Sequence, residues 1–178
     1  MLKKILLAAF FTFLIAELFA QQSAPLFTEL PSTRTHIDFK NTLTESVDLN
    51  AITYEYFYNG GGVAVGDINN DGLPDLFFTG NMVENKLYLN KGNMKFEDIT
   101  KKAGVAGHPG WRTGVTMVDI NGDGLLDIYV CYSGKGDSTS RRHQLFINQG
   151  NMTFKDEAAE YGLDVTDNST QAVFFDYD

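Results

Sequence analysis

The apolar residues of this chain fall in short runs separated by polar turn signals. Val63-Ala64-Val65, Leu76-Phe77-Phe78, Leu87-Tyr88-Leu89 and Met94-Lys95-Phe96 are each three or so residues of β-branched, aromatic or aliphatic type. Asn, Gly and Asp clusters stand between them, the punctuation of strands rather than helices. The stretch Leu87 to Phe96 reads as a hairpin turning at Lys91-Gly92-Asn93. A short turn is expected over residues 156–161, before Gly162, and a strand over His36-Ile37-Asp38-Phe39. Tyr54, Tyr56, Phe57 and Tyr58 form an aromatic cluster ahead of Gly60-Gly61-Gly62.

The pattern then repeats. GVAVGDINNDGLPDLFFTG (62–80) aligns with GVTMVDINGDGLLDIYVCYSG (114–134) at an offset of 52. NKLYLNKGNMKFEDIT (85–100) aligns with HQLFINQGNMTFKDEA (143–158) at an offset of 58, the six added residues lying within 133–142. A third copy opens at Ala172 and reaches Asp176 and Asp178, which match Asp67 and Asn69. About four strands in roughly 50 residues is the size of one propeller blade. The expected fold is therefore all-β: a partial β-propeller of about two four-stranded blades plus the first strand of a third. The expected divisions are a leader at 1–20, an extension at 21–59, blades at 60–106 and 107–165, and the start of a third blade at 166–178. A propeller closes with about four to eight blades, so the remaining blades are expected from a longer chain.

Residues 1–20 carry a different pattern. Lys3 and Lys4 precede an apolar stretch from Ile5 to Ala16, Glu17 closes it, and Ala20 offers a small residue for cleavage. That is the layout of a secretory signal peptide, and the run is short for a bilayer span. The expectation is a protein outside the cytoplasm: secreted, periplasmic or at the cell surface, and not integral to the membrane.

Composition narrows the chemistry. One Cys among 178 residues excludes an internal disulfide framework and a Cys-rich zinc site. A net charge of −9 argues against a nucleic-acid groove, which needs clustered Lys and Arg. The acids concentrate in the two repeated loops. In the first, Asp67, Asn69, Asp71 and Asp75 stand at positions 1, 3, 5 and 9, with Gly72 at 6 and the Leu73 carbonyl at 7. In the second, Asp119, Asn121, Asp123, Leu125 (carbonyl) and Asp127 repeat the set. Hard Ca²⁺ takes six to eight oxygens, and side chains at alternate positions of a curled loop can supply them. An EF-hand would need Glu at position 12, where Phe78 and Val130 stand, and helical flanks. A plain polar turn explains one or two acids. It does not explain three carboxylates crowded together twice in register. Ca²⁺ is the expected cofactor, with Asp176 and Asp178 opening a third loop.

These residues carry a resemblance. The repeats over roughly 60–178 resemble FG-GAP or VCBS repeats, the units of integrin-type β-propellers, whose blades hold D-x-N/D-x-D-G-x-x-D calcium loops. Residues 56–62 and the N-terminal stretch further resemble large secreted bacterial VCBS proteins, which often end in an ASPIC/UnbV domain. The resemblance implies a propeller with Ca²⁺ ligands at the matched positions and implies no catalytic residue.

Other signals are weaker. His36, His108 and His143 have no metal-like spacing and read as exposed loop residues. Cys131 lies in a strand pattern and reads as a buried small apolar side chain. Trp111 reads as packing between blades rather than a ligand platform. Gly134-Lys135-Gly136 lacks the spacing of a phosphate loop, and Arg141-Arg142 reads as a solvated pair. No catalytic constellation assembles, so the expectation is a non-enzymatic scaffold for an extracellular protein or glycan. The second reading is the propeller part of a polysaccharide-active enzyme.

Overall fold

The computed structural model describes residues 25–177; the leader at 1–20 and Asp178 lie outside them. The chain divides into two units, Met1–Pro31 and Ser32–Asp178. Residues 25–31 of the first form no helix or strand.

The second unit is built from two four-stranded antiparallel sheets. Strands β1 (Val63–Gly66), β2 (Asp75–Phe78), β3 (Lys86–Asn90) and β4 (Phe96–Asp98) pair in chain order. Strands β5 (Trp111–Val118), β6 (Asp127–Ser133), β7 (Gln144–Asn148) and β8 (Phe154–Asp156) repeat the arrangement. Each sheet is an up-and-down meander, the form of a propeller blade, and neither closes into a barrel. The architecture is all-β, a partial propeller.

Alternation explains the stacking. Along a strand, successive side chains leave opposite faces. Ala64, Phe77, Leu87 and Leu89 of the first sheet meet Val115, Ile128, Val130, Tyr132 and Phe146 of the second in one buried core. The opposite face of the second sheet presents Tyr129, Cys131, Leu145 and Ile147, and Ala172 and Phe174 of the third repeat pack against it. Those two residues alternate with exposed Val173 and Phe175, as a strand would, although no ladder forms there. The innermost strands run close. A Cβ on Gly62 would lie 2.8 Å from the Thr113 carbonyl oxygen, and one on Gly114 would lie 2.5 Å from that of Thr170. Glycine recurs there because the next repeat's backbone passes against it.

The extension clamps both blades. Phe39 stacks on Phe78 at 5.1 Å, and the Tyr88 hydroxyl donates to Asp38 at 2.8 Å. Tyr54 and Phe57 pack on Trp111, with ring centroids 5.2 and 5.4 Å away. Trp111 is thus a packing residue, buried under the extension.

Several elements differ from the sequence reading. The strand expected at Met94–Phe96 begins at Phe96, because Asn93 and Met94 take positive φ and complete the turn. Residues 36–39 form no strand: His36 has φ 62°, and the segment is held by side-chain contacts to blade 1 instead of a ladder. A short helix, α2 (Thr100–Ala103), follows β4 and ends at Gly104 in the left-handed region; the earlier helical turn is α1 (Ser32–Thr35). In the second repeat the same place holds the expected turn, closed by Leu163 N–H on the Ala158 carbonyl at 2.8 Å. His143 is buried, not exposed. Its Nδ1 lies 2.8 Å from the Tyr129 hydroxyl, and burial lowers its proton affinity. Arg141 is not a free solvated cation: it donates to the carbonyls of Gly136 and Thr166 and ties down the longer loop of blade 2.

Cys131 is buried as expected, and desolvation pushes its thiol up to about 11. A thiolate is the reactive form. A disulfide reagent at pH 8 should therefore leave the native chain unmodified and titrate one thiol after unfolding. Rapid native labelling would contradict the burial.

Candidate metal centre

Each acidic loop connects the first two strands of its blade. The turn is forced by Gly72 and Gly124, at φ 84° and 85°, a region that costs other L-residues strain. Asn70 at position 4 also takes positive φ, 57°, where the second loop has Gly122 at 72°. Asn tolerates this region better than most residues.

The loops match nearly bond for bond. Asp67 accepts the N–H groups of Asp71 at 3.1 Å and Gly72 at 2.7 Å. Asp119 accepts those of Asp123 at 3.1 Å and Gly124 at 2.9 Å. Asn69 and Asn121 accept the same Asp71 and Asp123 N–H groups, at 3.3 and 3.0 Å. Oxygens from positions 1 and 3 therefore meet at one donor inside the curl. Asp71 and Asp123 accept from Leu73 and Leu125, at 2.9 and 2.8 Å. The flanking elements are strands, which removes the EF-hand alternative on structure as well as sequence.

The position-9 carboxylates are the inner wall. Asp75 and Asp127 are fully buried. Asp75 accepts Ile68 N–H at 3.0 Å and Asn90 N–H at 2.7 Å. Asp127 accepts Ile120 N–H at 3.1 Å and Asn148 N–H at 2.8 Å. Burial raises the proton affinity of both. The backbone donors oppose that, and the like charges at positions 1 and 5 reinforce it. The net shift is upward, with desolvation its largest cause.

Among the described residues, no group of three or more His, Cys, Asp or Glu side chains stands close enough to hold a metal by itself. The three carboxylates of each loop are drawn onto backbone N–H groups. A cage would require the Asn oxygen and the Leu73 or Leu125 carbonyl in addition. All of these donors are hard oxygens on one curled loop, and that set suits a hard divalent cation. Asp176 is exposed, and its loop partner Asp178 lies outside the described residues.

Two residues escaped the sequence reading. Asn90 and Asn148 end β3 and β7 and dock the buried carboxylates. They occupy the same place in the aligned LYLN and LFIN strings. A polar residue repeated at the end of an apolar strand was the available signal.

Residues 67–130 match the FG-GAP-like repeat family. That stretch runs from the first acidic loop into β6 and is similar to the FG-GAP-like repeats of β-propellers that the sequence resemblance named. Cartilage acidic protein 1 of Xenopus tropicalis is 35% identical over 108 residues, a match covering 58% of this chain and 16% of that protein. The human protein of the same name is 32% identical over 103 residues, covering 57% and 15%. The mouse protein is 32% identical over 100 residues, covering 56% and 15%. The chain thus spans under one fifth of the length of these relatives.

If Asp75 docks two buried N–H groups, Asp75→Ala should cost about 2–4 kcal/mol in chemical denaturation with EDTA present. The exposed Asp71→Ala should cost under about 1 kcal/mol under the same conditions. Equal small losses would contradict the buried docking role.

Proposed function

We propose that this chain is the calcium-stabilised part of an extracytoplasmic propeller that serves as a binding scaffold for a protein or a glycan. The observation carrying it is the pair of matching loops, in each of which three Asp side chains and an Asn oxygen accept N–H groups of one curled turn, with one of the carboxylates buried. A Ca²⁺ ion supplies the positive charge that such a cluster lacks. Asp67, Asn69, Asp71, Asp75 and the Leu73 carbonyl would hold it in blade 1. Asp119, Asn121, Asp123, Asp127 and the Leu125 carbonyl would hold it in blade 2.

The chain's own residues do the rest. Asp75 and Asp127 join the end of one strand, the start of the next and the end of a third. Fixing them stiffens the blade and the surface loops that a partner would meet. The basic and apolar leader pattern supports export, where free calcium is high enough for weak sites to fill. No described helix is long and apolar enough to cross a membrane. The non-enzymatic reading is favoured because the acids are committed to the loops; turnover of a polysaccharide by the full chain would overturn it.

Ligand that binds only the folded state adds about 2.7 kcal/mol per site at a hundredfold excess over Kd. With two loops filled, millimolar Ca²⁺ should raise the melting temperature by about 10 °C over the same protein in EDTA. Mg²⁺ should raise it less, because it keeps its waters and a strict octahedron. Identical melting in Ca²⁺ and EDTA would overturn the calcium reading.

A further inference from the structure

The two loops are not separate. The carbonyl of Ile68, at position 2 of the first loop, accepts the Asn148 side-chain amide at 2.8 Å. Ile68 N–H donates to Asp75, and Asn148 N–H donates to Asp127. A hydrogen-bonded path therefore runs from Asp75 through Ile68 and Asn148 to Asp127, linking the two closing carboxylates across the blade boundary. Every residue on it is at most 4% exposed. A second link lies at the surface: the Asn70 side-chain amide donates to the Gly124 carbonyl at 3.0 Å. Gly124 N–H in turn donates to Asp119.

Both links are additions to the shared blade pattern. Asn90, which matches Asn148, donates to the Pro74 carbonyl of its own blade at 2.8 Å. Asn148 keeps that contact, to Leu126 at 3.2 Å, and makes the bond to Ile68 besides. Gly122, which matches Asn70, has no side chain to reach onward.

We infer that the two loops are coupled cation sites, with Asn148 and Asn70 as positioning residues that transmit the order of one loop to the other. This rests on the calcium reading above. In the metal-free chain each carboxylate is held by N–H groups alone and repelled by its neighbours. Fixing Asp127 fixes the Asn148 backbone. The Asn148 amide then holds Ile68, whose N–H sets the Asp75 carboxylate. The ordering of the shared backbone is done once and serves both loops, so the second ion meets a loop already shaped. Linkage makes the effect reciprocal.

The test is calorimetric titration of the metal-free full chain with CaCl₂. The wild type should bind two ions with a Hill coefficient above 1. Disabling loop 2 by Asp123→Asn should weaken binding at loop 1 by about fivefold or more. In Asn70→Gly and Asn148→Ala backgrounds, that penalty should shrink while two ions still bind. Asn70→Gly copies the residue at the matching position of loop 2 and suits the positive φ there. It keeps the test open if Asn148→Ala fails to fold. The readout is the dependence of one loop's affinity on the other, which a general loss of stability does not create or remove. Two sites that fill independently would overturn the coupling and leave the calcium reading standing. No binding at all would overturn both.

Discussion

Everything in this fold turns on a buried carboxylate taking two backbone N–H groups at the point where three strands meet. Asp75 joins the second residue after β1 to the start of β2 and the end of β3. Asp127 does the same for β5, β6 and β7. A strand end normally leaves such donors to water. Here they are inside, so they need an acceptor of full strength, and a carboxylate supplies one. The cost is a charge in a dry place beside two more negative charges. The rest of the loop deals with that cost: the sharp turns at Gly72 and Gly124 wrap N–H groups around the outer carboxylates.

The same grammar explains how the blades stack. Each blade is too thin to bury two faces alone. Blade 2 covers one face of blade 1, and Ala172 and Phe174 of the third repeat cover the far face of blade 2. On the other side, Phe39 and Asp38 of the extension lie on Phe78 and Tyr88. Close approach along the inner strands is permitted by Gly62 and Gly114. The polar seam reinforces this packing: Asn81 donates to the carbonyls of Gly60 and Arg112, and Arg112 donates to those of Gly80, Val83 and His108.

Most of this was legible in the sequence because repetition averages out local ambiguity. Leu76-Phe77-Phe78 alone fits a strand or a buried helix segment; the same pattern returning as Ile128-Tyr129-Val130, again directly after an acidic loop, does not. The loop residues were legible for the same reason. Some of what failed was local and unrepeated. Residues 36–39 alternate like a strand, yet their partners are side chains of blade 1 rather than a neighbouring backbone. His143 looked exposed because its burial depends on Tyr129 and residues 163–167, which only the folded second blade brings together. Asn90 and Asn148 were in plain view, but they dock the carboxylates through backbone N–H groups, which every residue type but proline carries.

The central claim is that the matched loops are cation cages closed by Asp75 and Asp127. The most direct measurement is a crystal structure of the chain grown with CaCl₂, with anomalous difference density recorded. The account expects one peak in each loop, about 2.3–2.6 Å from oxygens of Asp67, Asn69, Asp71 and Asp75, and from their counterparts in the second loop. Well-ordered loops without such peaks would contradict it.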